Sequence, residues 1–416
     1  MQEKIVKLFN FWAVSERLKD VKRWKGVSQM KEKETSADHS WHLAAFAFVV
    51  IKEFGLNFEE LKCLKLALVH DLVEAIAGDI DSVLVHSGKA DQAEKERKEK
   101  EAILEIVKIL PKKSGKEIKD LWFEYEKRTS LEAKFIYTLD KMESVGHMVS
   151  LGHKSFHEYA DFIALYCHVP VNNSFSELKP LHFALQKKLK DEFKKHGWEW
   201  KKEYNVEAAS AESMEKAERI LNFIKFGEQF KKVRRYSTVE MMPEKESSAE
   251  HSWHLALMAF VLVSEINFNL DELKLIKLAL FHDLPEAITG DINYSLIYFG
   301  KKTKEKKNIE ELEAIREIRK NTGERTGQNV FDIWTEYEDG YTREALFVKA
   351  LDKVESINHI LNKGYGYFDY PELIAPYPNN AVKKFPELKP VLKELQDRLK
   401  PEYEKRGWEW LEEYFI

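Results

Sequence analysis

The chain repeats itself at long range, and this limits what it can fold into more than any other feature. Residues 65–80 read KLALVHDLVEAIAGDI and residues 277–292 read KLALFHDLPEAITGDI, an offset of 212 (277 − 65) with 13 of 16 positions identical. The same offset carries Ser40-Trp41-His42-Leu43-Ala44 onto Ser252-Trp253-His254-Leu255-Ala256, and Leu139-Asp140-Lys141 onto Leu351-Asp352-Lys353. Later, Gly197-Trp198-Glu199-Trp200 meets Gly407-Trp408-Glu409-Trp410 at 210 (407 − 197), so only the C-terminal third slips, by two residues. Units this long are duplicated domains, because solenoid repeats run about 20–50 residues. The small, polar stretch from Asn205 to Glu212 reads as a linker. Two domains are expected, residues 1–207 and 208–416.

Each unit reads as helical. His39 to Phe54 is apolar on nearly every face, as a buried central helix would be. Asn57 reads as the N-cap of a helix that carries His70-Asp71 and runs to about Ala77, where Gly78 ends it. Glu132 to Val149 has helical spacing and carries Asp140, and Ala90 to Ile109 suits a surface helix. No segment alternates convincingly as a strand would. The expected fold class is all-α, as two tandem helical bundles.

Composition excludes several classes. With 25 Phe, 16 Tyr and 10 Trp, a packed core is expected despite 33% charged residues. A net charge of −5 gives no overall electrostatic case for nucleic acid or an anionic membrane. The longest apolar run, Leu43 to Ile51, is far short of the roughly 20 residues of a spanning helix. The two cysteines, Cys63 and Cys167, form no CxxC pair, and Met1 to Lys7 holds no apolar signal core. A cytoplasmic location is expected.

The chemistry lies in four residues per unit: His39, His70, Asp71 and Asp140, matched by His251, His282, Asp283 and Asp352. The gaps are 31 (70 − 39 and 282 − 251) and 69 (140 − 71 and 352 − 283) in both units. Neutral imidazoles with carboxylates are an N/O donor set for Mn, Fe, Co, Ni or Zn. Such an ion would keep positions open for water and a phosphate oxygen. A lone histidine on an apolar helix is usually a satisfied core residue. Here an ionisable His-Asp pair directly follows Leu66-Ala67-Leu68-Val69, and burying it is costly unless it pairs or binds metal. Adjacent helical residues splay by about 100°, so both reach one ion only at a crowded crossing.

Glu74 and Glu286 follow Asp71 and Asp283 by three residues, one helical turn, and suit a general base or a water-orienting role. A solvated surface glutamate has the same spacing. Asp79 and Asp291 follow a glycine where the chain leaves the helix, and would either cap the next segment or touch a ligand. Arg23 and Arg235 each precede an aromatic residue, Trp24 or Tyr236, within basic stretches that include Lys19 and Lys231. An arginine fork matches a phosphate, although most such stretches are solvated helix faces. His42, His147, His254 and His359 also repeat, and core roles or support of the ligands explain them.

Arg-Trp near the start, A-D/E-H-S-W, L-x-H-D-L-x-E-A-x-x-G-D-I, a Leu-Trp or Ile-Trp with a nearby Glu-Tyr (Glu124-Tyr125 and Glu336-Tyr337), and L-D-K together resemble the HD superfamily, whose pattern is H…HD…D. More narrowly they resemble the HD-domain 5′-deoxynucleotidases, over about residues 8–190 and again 220–400. The resemblance implies helical, usually homodimeric enzymes that hydrolyse deoxynucleoside 5′-monophosphates with a divalent metal. Carried over, His39, His70, Asp71 and Asp140 would hold one ion, and His251, His282, Asp283 and Asp352 a second. Glu74 and Glu286 would activate water, and Arg23 and Arg235 would bind phosphate. Asp79 and Asp291 would join the catalytic group and, with Trp24 and Tyr236, shape the sugar pocket. The first unit departs from the family at Asp38, Val73 and Ala77, where the second has Glu250, Pro285 and Thr289; the second departs at Tyr236. Fusion of two units would build the family's dimer inside one chain, with further oligomerisation left open.

Two other functions fit the same residues. A triphosphate hydrolase or phosphodiesterase of the HD type would need a larger basic site or extra histidine ligands. No further histidine repeated in both units is an obvious second-metal ligand, which favours a single ion per domain. A nucleotide-binding regulatory module would not need Glu74 and Glu286.

Overall fold

The computed structural model of the chain describes all residues except 29, 153–155, 157, 158, 209, 238, 240, 241, 243, 244, 365, 367–369 and 416. The first half contributes α1 (Gln2–Ser15), α2 (Ser36–Phe54), α3 (Glu60–Val69), α4 (Gln92–Ile109), α5 (Lys112–Lys127), α6 (Leu131–Leu151) and α7 (Lys179–Lys195). The second half repeats them as α8 (Ala211–Phe230), α9 (Ser248–Glu265), α10 (Glu272–Phe281), α11 (Lys304–Thr322), α12 (Glu324–Asp339), α13 (Arg343–Lys363) and α14 (Lys389–Lys405). Among the described residues the only β pairings are isolated bridges, Lys22 with Thr35 and Arg234 with Ser247. The fold is all-α.

The central helices α2 and α9 are buried along almost their whole length, which is why their sequences are apolar on every face. Each starts with a capping box, Thr35 with Asp38 and Ser247 with Glu250. The two boxes also bind each other. Thr35 Oγ1 donates to Glu250 Oε1 at 2.7 Å, and Ser247 Oγ donates to Asp38 Oδ1 at 2.5 Å. Further along, Trp41 Nε1 donates to the Leu280 carbonyl at 2.9 Å, and Trp253 Nε1 to the Leu68 carbonyl at 3.1 Å. Both indoles are fully buried, and each such burial contributes on the order of 2 kcal/mol.

The halves are interleaved. Helix α1 packs on α9 and α14 of the second half as well as on α4 of its own. Helix α8 packs on α2, α6 and α7 of the first half as well as on α11. One apolar core therefore runs through both halves, with contacts such as Phe48 against Phe281 (ring centroids 5.1 Å) and Trp41 against Phe230 (4.7 Å).

Two local expectations change. Helix α3 begins at Glu60 with Glu59, not Asn57, as its N-cap, and without a side-chain cap bond. It also stops at Val69: residues 70–73 form a turn, and a separate short helix, Glu74–Ala77, ends at Gly78 with φ 72°.

Candidate metal centre and phosphate site

Three helices deliver the ligand candidates of the first half. His39 sits in the first turn of α2, His70 caps the C-terminus of α3, and Asp140 lies midway along α6. His39 Nε2 is 3.1 Å from Asp140 Oδ1 and 3.9 Å from Asp71 Oδ2, and His70 Nε2 is 3.2 Å from the same Asp71 oxygen. The second half repeats this: 3.2 Å for His251 to Asp352, 3.9 Å for His251 to Asp283, and 3.1 Å for His282 to Asp283. The break after Val69 explains how neighbours converge. Because the chain turns out of the helix at His70, Asp71 is free of the 100° splay that a continuous helix would impose.

The outer nitrogen of each imidazole is occupied. His70 Nδ1 donates to the Ala67 carbonyl at 2.9 Å, and His282 Nδ1 to the Ala279 carbonyl at 2.9 Å. A carbonyl only accepts, so Nδ1 carries the hydrogen and Nε2 keeps its lone pair. His39 Nδ1 meets Glu143 Oε2 at 2.6 Å, and His251 Nδ1 meets Glu355. The inner Nε2 atoms of His39, His70, His251 and His282 are buried with no hydrogen-bond partner. Buried polar atoms are rarely left so. Inner nitrogens gathered with two carboxylates, each imidazole braced from behind, fit a divalent metal ion.

Around this cluster the remaining candidates fall in place. Arg23 Nη1 donates to Asp71 Oδ2 at 2.7 Å, and Arg235 Nη1 to Asp283 Oδ2 at 3.2 Å. Trp24 is nearly fully buried and holds a left-handed backbone, φ 60°, with its ring 5.6 Å from the Arg23 guanidinium carbon. Tyr236, also left-handed at φ 56°, stacks on His359 and donates its hydroxyl to the Ser356 carbonyl at 3.1 Å. Glu74 and Glu286 are not solvated: both are buried and accept hydrogen bonds from Ser36 (2.5 Å) and Ser248 (2.7 Å). Asp79 and Asp291 cap neither following short helix, since Asp81 and Asn293 hold those N-cap positions.

Charge sorts the carboxylates into two groups. Burial would raise Asp71, but His70 and Arg23 hold it well below the usual carboxylate range, and Lys141 with His39 does the same for Asp140. Glu74 goes the other way: burial first, then the Asp71 charge, push it up. Asp79 is raised strongly by burial and by Glu74, while at Asp291 burial outweighs the opposing Arg235. Each half thus holds candidate ligand aspartates held low beside carboxylates whose affinity for a proton is raised, a contrast that acid–base chemistry uses.

Several partners were given no role from the sequence. Glu143 and Glu355 brace the histidines. Tyr125 and Tyr337 each donate to the ligand aspartate at 2.8 Å, and Lys141 and Lys353 donate to the same oxygens at 2.9 and 2.8 Å. All three pairs recur at the offset of 212 (355 − 143, 337 − 125 and 353 − 141), which was the available signal. Lys19 and Lys231, read as part of basic stretches, are buried among carboxylates. In the first half a cavity of about 770 Å³ lies beside Lys141, with Tyr137, Phe162 and Tyr166 in its wall.

A family model described as HD domain matches residues 15–179 and 227–372, one stretch in each half. This chain belongs to the HD-domain family. The two HD stretches each hold a complete set of the four ligand candidates. Among curated proteins, 5′-deoxynucleotidase HDDC2 of Homo sapiens is 38% identical over 139 residues, 33% of this chain and 65% of that protein. The match thus spans just under two thirds of the human relative's length. 5′-Deoxynucleotidase HDDC2 of Dictyostelium discoideum is 38% identical over 143 residues, 33% of this chain and 73% of its own. A solved structure of a predicted metal-dependent phosphohydrolase from Magnetospirillum magnetotacticum aligns to 48% of this chain and 97% of its own, at 21% identity and TM-score 0.37. Among the described residues no helix is long and apolar enough to cross a membrane.

Proposed function

We propose that the chain is a metal-dependent phosphomonoesterase that converts deoxynucleoside 5′-monophosphates to deoxynucleoside and phosphate, with one site in each of two units, residues 1–207 and 208–416. The observation that carries this reading is the pair of buried Nε2 atoms without a hydrogen-bond partner in each half, facing two carboxylates with one arginine alongside. The curated relatives described as 5′-deoxynucleotidases support the substrate class. His39, His70, Asp71 and Asp140 would hold one Mn, Fe, Co, Ni or Zn ion, and His251, His282, Asp283 and Asp352 the other. Bound there, such an ion supplies Lewis-acid polarisation of a phosphoryl oxygen and acidifies water. Arg23 and Arg235, already aimed at the cluster, bind the phosphate, and Trp24 and Tyr236 fix the arginine-bearing turns. Glu74 and Glu286 orient the attacking water and take its proton. Asp79 and Asp291, whose affinity for a proton is raised by burial, supply one to the departing 5′ oxygen. The wall of Tyr137, Phe162 and Tyr166 offers the nucleoside of the first site an aromatic surface. The partner is a small nucleotide, and the fused halves stand in for a two-subunit assembly in the cytoplasm.

The test is phosphate release from ribo- and deoxyribonucleoside mono- and triphosphates, with Mn, Co or Mg added to metal-stripped protein. Metal-dependent release from the deoxy monophosphates is expected. Asp71→Ala and Asp283→Ala should each remove one bound metal and one site's share of turnover, and the double variant all of it. Release only from triphosphates, or none with bound nucleotide, would move the assignment to another HD phosphohydrolase or to a binding module.

A further inference from the structure

Lys231 belongs to the second half by sequence, at the C-terminal end of α8, yet its ammonium lies inside the first half's site. It is 4% exposed. Its Nζ is 2.7 Å from Glu34 Oε2 and 3.4 Å from Glu143 Oε1, both in the first half, and 2.5 Å from Glu228 of its own half. Those two first-half carboxylates support different parts of the site. Glu143 accepts from Nδ1 of His39 (2.6 Å) and of His42 (2.7 Å). Glu34 faces Arg23 Nε at 3.4 Å and accepts from Trp24 Nε1 at 3.3 Å. One lysine thus stands behind both a metal-ligand candidate and the phosphate-binding candidate, one carboxylate away from each.

Lys19, at the same place in the repeat (231 − 19 = 212), does this in reverse. It follows α1 of the first half and reaches Glu355 at 2.9 Å and Glu246 at 2.6 Å in the second, with Glu16 of its own half at 2.9 Å. Glu355 braces His251 and His254, and Glu246 accepts from Arg235 Nε at 3.1 Å. A carboxylate buried without a counter-charge is costly and relaxes toward water or another partner. We propose that Lys231 and Lys19 are positioning residues acting across the halves. Each supplies a buried counter-charge shared by the two carboxylates that orient the other half's metal-binding histidine and phosphate-binding arginine, beside the histidines and arginine that also face them. Neither half's site is complete without the other half. The proposal rests on the metal-site reading above.

The test measures Mn2+ affinity site by site, by calorimetric titration of the metal-stripped full chain. Asp283→Ala leaves only the first-half site and Asp71→Ala only the second-half site. In the Asp283→Ala chain, adding Lys231→Met should weaken Mn2+ binding by about 10–100-fold, as loss of support behind a ligand does. In the Asp71→Ala chain, the same change should shift the remaining site by less than about two-fold on that scale. Lys19→Met should give the mirror pattern. Equal weakening of both sites, no weakening, or weakening confined to the lysine's own half would overturn the proposal. If Lys231→Met does not fold, Lys231→Arg keeps the charge with altered geometry, and its smaller loss must still fall on the first-half site alone. If the Asp283→Ala chain binds no Mn2+ at all, the metal-site reading fails, and this inference with it.

Discussion

His39 is held between two carboxylates, Asp140 on its inner side and Glu143 on its outer side. Burial and Arg23 oppose a charge on the ring, but Glu143 and Asp140 outweigh them and lift its pKa to about 10; His251 is lifted to about 10 in the same way. In the metal-free chain a proton therefore competes with the ion. Metal uptake near pH 8 should release about one proton per site, read from calorimetric heats in buffers of different ionisation enthalpy. Apparent affinity should climb with pH and level off above about 10, and an affinity flat from pH 7 to 9 would contradict this. The sign for stability is the opposite one. A folded pKa above the ordinary 6.5 stabilises the metal-free chain fully below pH 6.5, and that contribution is lost as pH rises through about 10. The cluster of ligand candidates was legible because histidines and aspartates in a fixed pattern, set after an apolar run, have few other uses. Glu143 was not, since a glutamate on a helix looks solvated until the helix on its far side is known.

At the level of elements, the most informative misreading concerns α3. Its apolar run and the Gly78 stop suggested one helix to Ala77, whereas the chain turns at residues 70–73. Helical propensity barely distinguishes the two, and the turn is chosen because it brings Asp71 round to His39 and Arg23. The second half marks the same spot with Pro285, φ −54°, where the first half has Val73 at φ −61°. Val73→Pro should therefore fit without strain and stabilise the first half by about 0.5–1 kcal/mol, by restricting the unfolded chain. Denaturant titration checks this, and a destabilised variant would show that the Val73 N–H is needed where its counterpart is dispensable. The helical class and the long central helices were readable because burial on all sides and the repeat offset leave direct marks in composition; the expected linker, Asn205 to Glu212, runs into the start of α8 at Ala211.

In the whole molecule, α1 and α8 each pack into the opposite half, and the apolar core is continuous. The chain should unfold in a single transition, with near-UV and far-UV signals coinciding, although its length alone would suggest two domains melting separately. Trp253→Phe removes the donor to the Leu68 carbonyl across the halves; it should cost about 1–3 kcal/mol and lower that single transition without splitting it. That the halves would pack as a dimer was expected from the resemblance, but the exchange of helices was not legible. The repeat shows that two units exist, but Lys19 and Lys231 look like ordinary basic residues until a partner some 200 positions away encloses them. The exchange of helices also bears on how such a chain can change by descent. A spare copy produced by duplication is normally free to decay, shedding its ligands and then its length. Here the loss of either copy would strip the survivor of a helix from its core, so the two halves are committed to being inherited together.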